Sequence, residues 1–283
     1  MSQSKKIKEK IKKVIIKTVE SKQYIISSTI VGSFMDSIGL NGISDIDIVI
    51  IVDKLTSNIF DEINISFQRI KSSEFGLDDY EIIINNTFGP LKFDTKKNIV
   101  FHLMIYDLKG HIDHVENSPF TCISWENYNP IQGLSLKEVY PTINLQFTDI
   151  LKSRRGILTY LSDIEKGCIT FRKYKFSKDK PEIIKDNFEL DSKHILEYSY
   201  HITYHLSNNF YKIITRKLDS LDIEDLIKFY LNFDLFPNHN ILFFKDLFFW
   251  KKKGGHPPLN IIDNTKLFIN DFFLCIQKIP DSQ

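Results

Sequence analysis

Residues 24–52 read YIISSTIVGSFMDSIGLNGISDIDIVIIV, and the order of features in this stretch decides the fold. Tyr24–Val31 is rich in β-branched residues and stops at Gly32-Ser33, the pattern of a strand that ends in a tight turn. Residues 34–44 contain Gly39, Asn41 and Gly42, which leaves room for a helical turn and a loop. From Asp45 to Val52, Ile46, Ile48 and Ile50 alternate with Asp47, Val49 and Ile51. Beyond Asp47 both sets are apolar, as in a strand covered on both faces.

Outward from this core, residues 4–20 place Ile7, Ile11, Val14, Ile15 and Thr18 at helical spacing, with lysines on the other side. Leu55–Lys71 does the same with Ile59, Ile63, Phe67 and Ile70. Two further strands are predicted at Tyr80–Asn85 and Asn98–Asp107, separated by the break Asn86-Thr87-Phe88-Gly89-Pro90. After residue 140 the periodicity turns helical, over Phe147–Leu161, Lys193–Lys217, Ile223–Phe233 and Leu267–Ile276. Asn117–Tyr140 has Pro119 and Pro130 inside it and Pro141 just after, and reads as a linker. The expected class is α+β: a mixed sheet flanked by helices over residues 1–118, a linker over 119–140 and an all-helical domain over 141–283.

Composition narrows the function classes. The 37 basic and 36 acidic side chains leave a formal charge of +1, which leans against extended nucleic-acid binding because each neutralised phosphate needs a Lys or Arg. Cys122, Cys168 and Cys275 lie far apart without a C-x-x-C, so neither a disulfide framework nor a zinc site is expected. No stretch reaches the roughly 18 consecutive apolar residues of a membrane span, and no apolar run of signal-peptide type opens the sequence. A cytoplasmic protein with no membrane partner is the expectation.

The chemistry concentrates at the two ends of the quoted stretch. Residues i and i+2 of a strand share a face, so Asp45 and Asp47 project side by side, their carboxylates roughly 5–7 Å apart. Two such charges repel by roughly 3 kcal/mol at an effective dielectric of about 20, and a cation relieves that repulsion. Mg2+ suits hard carboxylate oxygens and accepts a site completed by water and phosphates. Gly32 lets the backbone approach a phosphate, and the Ser33 hydroxyl can donate to a triphosphate oxygen.

Gly32-Ser33, a gap of eleven residues, then Asp45-Ile46-Asp47 followed by Ile48 and Val49 resembles the signature of the DNA polymerase β-like nucleotidyltransferase superfamily. Ser44 before the pair matches what many bacterial members carry. The resemblance covers about residues 24–107. It implies that Asp45 and Asp47 bind Mg2+ (or Mn2+) and that Gly32 and Ser33 hold the phosphates of a nucleoside triphosphate. It further implies transfer of a nucleoside monophosphate to a hydroxyl acceptor, with the helical domain selecting the acceptor. The near-neutral charge favours a small molecule; RNA or a protein side chain stays open.

Two departures from the family pattern stand out. Members carry a third acid on a later strand, but here His102 occupies that polar slot between Phe101 and Leu103. Either His102 is the general base, or Asp107 or Asp94 completes the site, or the third position is lost and the chain is a catalytically weak or inactive module that binds a nucleotide or a partner protein. Many relatives also carry a basic residue just after the turn, where this chain has Phe34-Met35-Asp36-Ser37. Lys152, Arg154 and Arg155 are the candidates to meet phosphate charge instead. Arg172, Lys173 and Lys175, interleaved with Phe171, Tyr174 and Phe176, either stack a base or form a solvated strand. His201 and His205 have the i, i+4 spacing of some metal pairs, but no acid accompanies them, so packing is expected.

Overall fold

The computed structural model describes residues 3–36, 45–89, 97–142, 144–217, 219–232, 236–254, 256 and 258–279. Ser44, Asp94 and the loop residues Gly39, Asn41 and Gly42 lie outside them. The chain divides into two compact units. One comprises Met1–Val115, Trp125–Thr142 and Phe171–Asp186, the other Glu116–Ser124, Ile143–Thr170 and Asn187–Gln283.

Through residue 107 the elements follow the predicted order: α1 (Gln3–Glu20), β1 (Ile25–Val31), α2 (Ser33–Asp36), β2 (Ile46–Val52), α3 (Ser57–Gln68), β3 (Glu81–Asn85) and β4 (Asn98–Asp107). Then come α4 (Leu108–Asn117), α5 (Pro119–Trp125), β5 (Gln132–Gly133) and α6 (Leu136–Val139). The stretch read as a linker is therefore folded, and β5 pairs with β1 as an edge strand. The sheet order is β3-β4-β2-β1-β5. The β1–β2 and β1–β5 pairs are antiparallel, and β2–β4 and β3–β4 are parallel.

One face of the sheet carries Ile30, Ile46, Ile48, Ile50, Phe101, Leu103 and Ile105 against Ile11, Ile15 and Val19 of α1 and Ile63 and Phe67 of α3. Each such side chain removed from water stabilises by about 1.5–3 kcal/mol, which fixes the strand register. On the other face Phe88 stacks on Tyr106 at 5.1 Å, and the Tyr106 hydroxyl bonds His114 Nδ1 at 3.0 Å.

The helical half carries one element that the periodicity did not separate, a hairpin of β6 (Cys168–Ser177) and β7 (Lys180–Glu189). Lys178 and Asp179 at its turn both have positive φ, 48° and 66°, as a two-residue hairpin of this hand requires. Asp179 Oδ1 accepts from the Ser57 backbone N–H at 3.1 Å, at the start of α3. Tyr174 and Phe176 pack on Phe60, and Lys173 pairs with Asp186 at 2.6 Å. The basic-aromatic stretch is thus a strand whose Tyr174 and Phe176 rings, partly buried, pack against the core.

The second unit is built from α7 (Phe147–Lys152), α8 (Ile157–Lys166), α9 (Ser192–Thr215), α10 (Ile223–Leu231), α11 (Asn238–Lys253) and α12 (Ile261–Gln277). Among the described residues, no helix is long and apolar enough to cross a membrane.

Candidate active site

The register of the sheet brings the site together. Asp47 on β2 lies opposite His102 on β4, and His102 lies opposite Asn85 on β3, so the three stand in one row across neighbouring strands. Val31 on β1 lies opposite Asp47, which puts the Gly32 turn beside the Asp47 carboxylate. Gly32 has φ +75°, and a Cβ there would lie 2.6 Å from Asp47 Oδ2. Glycine is required twice over, for the left-handed backbone and for the space the carboxylate occupies. Phe34, fully buried, anchors α2 after the turn, and Lys8 Nζ donates to the Met35 carbonyl at 3.3 Å. Ser33, the first residue of α2, is exposed.

His102 is the centre of the arrangement. Its Nδ1 lies 2.7 Å from Asp47 Oδ1 and 4.0 Å from Asp45 Oδ2, and its Nε2 lies 2.7 Å from the Thr87 carbonyl oxygen. A carbonyl only accepts, so Nε2 carries a hydrogen; a carboxylate only accepts, so in this arrangement Nδ1 does too. Burial alone would push the imidazole pKa down. The hydrogen bond and charge of Asp47, the charge of Asp45 and the Thr87 carbonyl outweigh it and hold the pKa above the ordinary histidine value. With both nitrogens engaged, His102 has no lone pair to offer an acceptor hydroxyl as the chain stands.

One ligand atom from each of Asp45, Asp47 and His102 lies within 4.8 Å of the others. Two carboxylates and an imidazole at that separation fit one divalent cation, and the gap that Gly32 leaves free of a Cβ opens onto the same carboxylate.

Of the other expected residues, Asp107 stands apart from the triad. Asp107 lies opposite Val52, at the far end of β4, where its Oδ1 accepts from the Gly110 N–H at 2.8 Å. Five residues of strand separate it from His102, roughly 16 Å, so the expectation that it completes the site gives way to a helix cap on α4. Arg154 and Arg155 belong to the second unit, between α7 and α8. There the Arg154 N–H donates to the Asn117 carbonyl and the Arg155 carbonyl accepts from Asn209.

Two contributors were not legible beforehand. The Thr87 carbonyl is backbone and carries no residue-type signal. Tyr128, in the stretch read as a linker, donates from its hydroxyl to Asp36 Oδ1 at 2.7 Å. Desolvation first, then the Asp36 carboxylate, raises its pKa.

No known family model matches the chain, and no curated protein matches it. A solved structure to which it is similar is spectinomycin adenyltransferase AAD(9) from Enterococcus faecialis, determined with ATP and spectinomycin. The two are 12% identical with a TM-score of 0.49, covering 95% of this chain and 98% of that one.

Proposed function

We propose that this chain is a metal-dependent nucleotidyltransferase of the DNA polymerase β-like kind, which moves a nucleoside monophosphate from an NTP to a hydroxyl acceptor and releases pyrophosphate. The observation that carries the reading is the convergence of Asp45, Asp47 and His102 beside a glycine turn that a side chain would block. In the proposed reaction the acceptor oxygen bonds to the α-phosphorus and gives up its proton to solvent, the bond from that phosphorus to the bridging oxygen breaks, and pyrophosphate departs with the electron pair. Asp45, Asp47 and His102 would hold a divalent cation, which would supply positive charge to the phosphate oxygens. Asp45 and Asp47 hold that cation, and Gly32 lets the turn's backbone close on the phosphates. Ser33 donates its hydroxyl to a phosphate oxygen, and His102 Nδ1, its proton displaced by the cation, would give the third ligand. A small-molecule acceptor fits the near-zero charge of the chain better than a long nucleic acid does.

One observation favours a second reading, a nucleotide-binding module without turnover: both nitrogens of His102 are engaged, so it does not serve as the acceptor's base. The test incubates the protein with each α-labelled NTP and Mg2+ or Mn2+, against a small-metabolite extract, pooled tRNA and a protein extract in separate arms. Label in the metabolite fraction with equimolar pyrophosphate is the expected result. NTP binding without pyrophosphate in any arm establishes the module instead, and failure to bind any NTP overturns both.

A further inference from the structure

We propose that the Asp45–Asp47–His102 centre selects Mn2+ over Mg2+, because its third donor is an imidazole nitrogen that a carbonyl behind it aims at the carboxylates. The inference rests on reading these three residues as a metal centre and goes on to say which ion they choose.

The imidazole is built in. Its Nε2–H donates to the Thr87 carbonyl at 2.7 Å, which leaves Nδ1 as the atom facing Asp47 and Asp45. This is the arrangement of a metal-ligating histidine, whose remote N–H is tied to an oxygen that fixes ring and tautomer. The Thr87 carbonyl is itself held. Asn85 Oδ1 accepts from both the Thr87 N–H at 3.0 Å and its hydroxyl at 2.8 Å. The next residue, Phe88, exchanges two backbone hydrogen bonds with Arg172 on β6 and stacks on Tyr106, two pleats along β4 from His102. An acceptor atom at the Nε2 position would face that carbonyl acceptor to acceptor, so the carbonyl selects a donor there and fixes the ring.

The donor set then decides the ion. Mg2+ takes oxygen ligands and gives up its waters reluctantly, so an imidazole in place of a carboxylate weakens its hold. Imidazole suits the first-row transition ions, while carboxylates suit Mg2+, Ca2+ and Mn2+; Mn2+ accepts both halves of this set. A cation that binds at Nδ1 displaces the proton there, and two carboxylates with the ring then neutral carry a charge of about −2, which balances one divalent ion.

The experiment uses the full chain stripped of metal. Mn2+ is titrated in and followed by the electron paramagnetic resonance signal of the free ion, with Mg2+ added as competitor. Nitrogen coupling to the bound ion is read by pulsed resonance at low temperature. One Mn2+ per chain is expected, with nitrogen coupling from one imidazole. In His102→Asp the coupling disappears and the Mg2+ needed to displace half the Mn2+ falls by about tenfold or more. The wild-type coupling does not depend on that variant folding. Bound Mn2+ without nitrogen coupling, or equal displacement by Mg2+ from both proteins, overturns the selectivity and leaves the metal centre standing. Failure of both ions to bind, or binding that survives Asp45→Asn together with Asp47→Asn, overturns the metal centre and the selectivity with it.

Discussion

His102 in the first unit and the His201–His205 pair in the second carry the same ring into opposite surroundings. His102 sits between two carboxylates and a carbonyl, and its pKa is held above the ordinary value against its own burial. His201 and His205 lie one turn apart on α9 with ring centroids 4.1 Å apart, among Tyr160, Tyr198 and Tyr204. Desolvation pushes both well below the ordinary histidine value, and the positive charge of Arg155 adds to the shift. Among the described residues, the one group able to hold a metal is the set with acids in it. Histidine spacing by itself makes a packed pair; carboxylates on the next strand make a candidate ligand.

The largest effect should separate the two regions outright. Asp45→Asn with Asp47→Asn removes charge stabilisation worth several kcal/mol, so transfer falls about a thousandfold. His201→Phe with His205→Phe leaves the transfer rate unchanged. Label-transfer kinetics on both double variants checks the pair.

A pH effect follows from the histidines without acids. A histidine whose folded pKa is depressed contributes stability that is present above its unfolded value of about 6.5 and is lost as the pH falls, because the unfolded chain takes the proton first. His111, with neither ring nitrogen bonded, is desolvated to a pKa of about 4, so its share is lost between about 6.5 and 4 and reaches roughly 2 kcal/mol by pH 5. His201 and His205 act in the same direction. Urea midpoints at pH 7.5 and 5 should fall in that order for the wild type, and less for His201→Phe with His205→Phe.

Gly32→Ala strains a left-handed residue by about 1–2 kcal/mol and drives Asp47 off its place. Mn2+ titration should show affinity reduced beyond what the loss in thermal stability explains. Asp107→Ala, the smallest effect, removes a helix cap worth about 1 kcal/mol and leaves transfer intact. Loss of transfer there would restore Asp107 to the site.

How far the sequence could be read depended on whether physical pattern and residue type coincided. β2 and β4 announced themselves because buried strands in a parallel pair are apolar on both faces, and Asp45, Asp47 and His102 then stood out as polar interruptions. β5 did not, since two residues held by backbone bonds, with Ile131 N–H donating to the Ser28 carbonyl beside them, carry no pattern. The hairpin turn Lys178-Asp179 lacks the Asn-Gly signal although it adopts the same positive φ. α11 is apolar on several sides, with Phe243, Phe244, Leu247 and Phe248 buried, so no stripe marks it. Asp107 misled because residue type suited the role while its position along β4 did not.

The most direct measurement is calorimetric titration of the protein with an NTP, with and without Mn2+ or Mg2+, in the wild type and in Asp45→Asn with Asp47→Asn. It requires no knowledge of the acceptor. Saturable binding that depends on the metal and vanishes in the double variant is the expected result. Absence of binding with either ion, or binding indifferent to metal and to both aspartates, would contradict the assignment of this site.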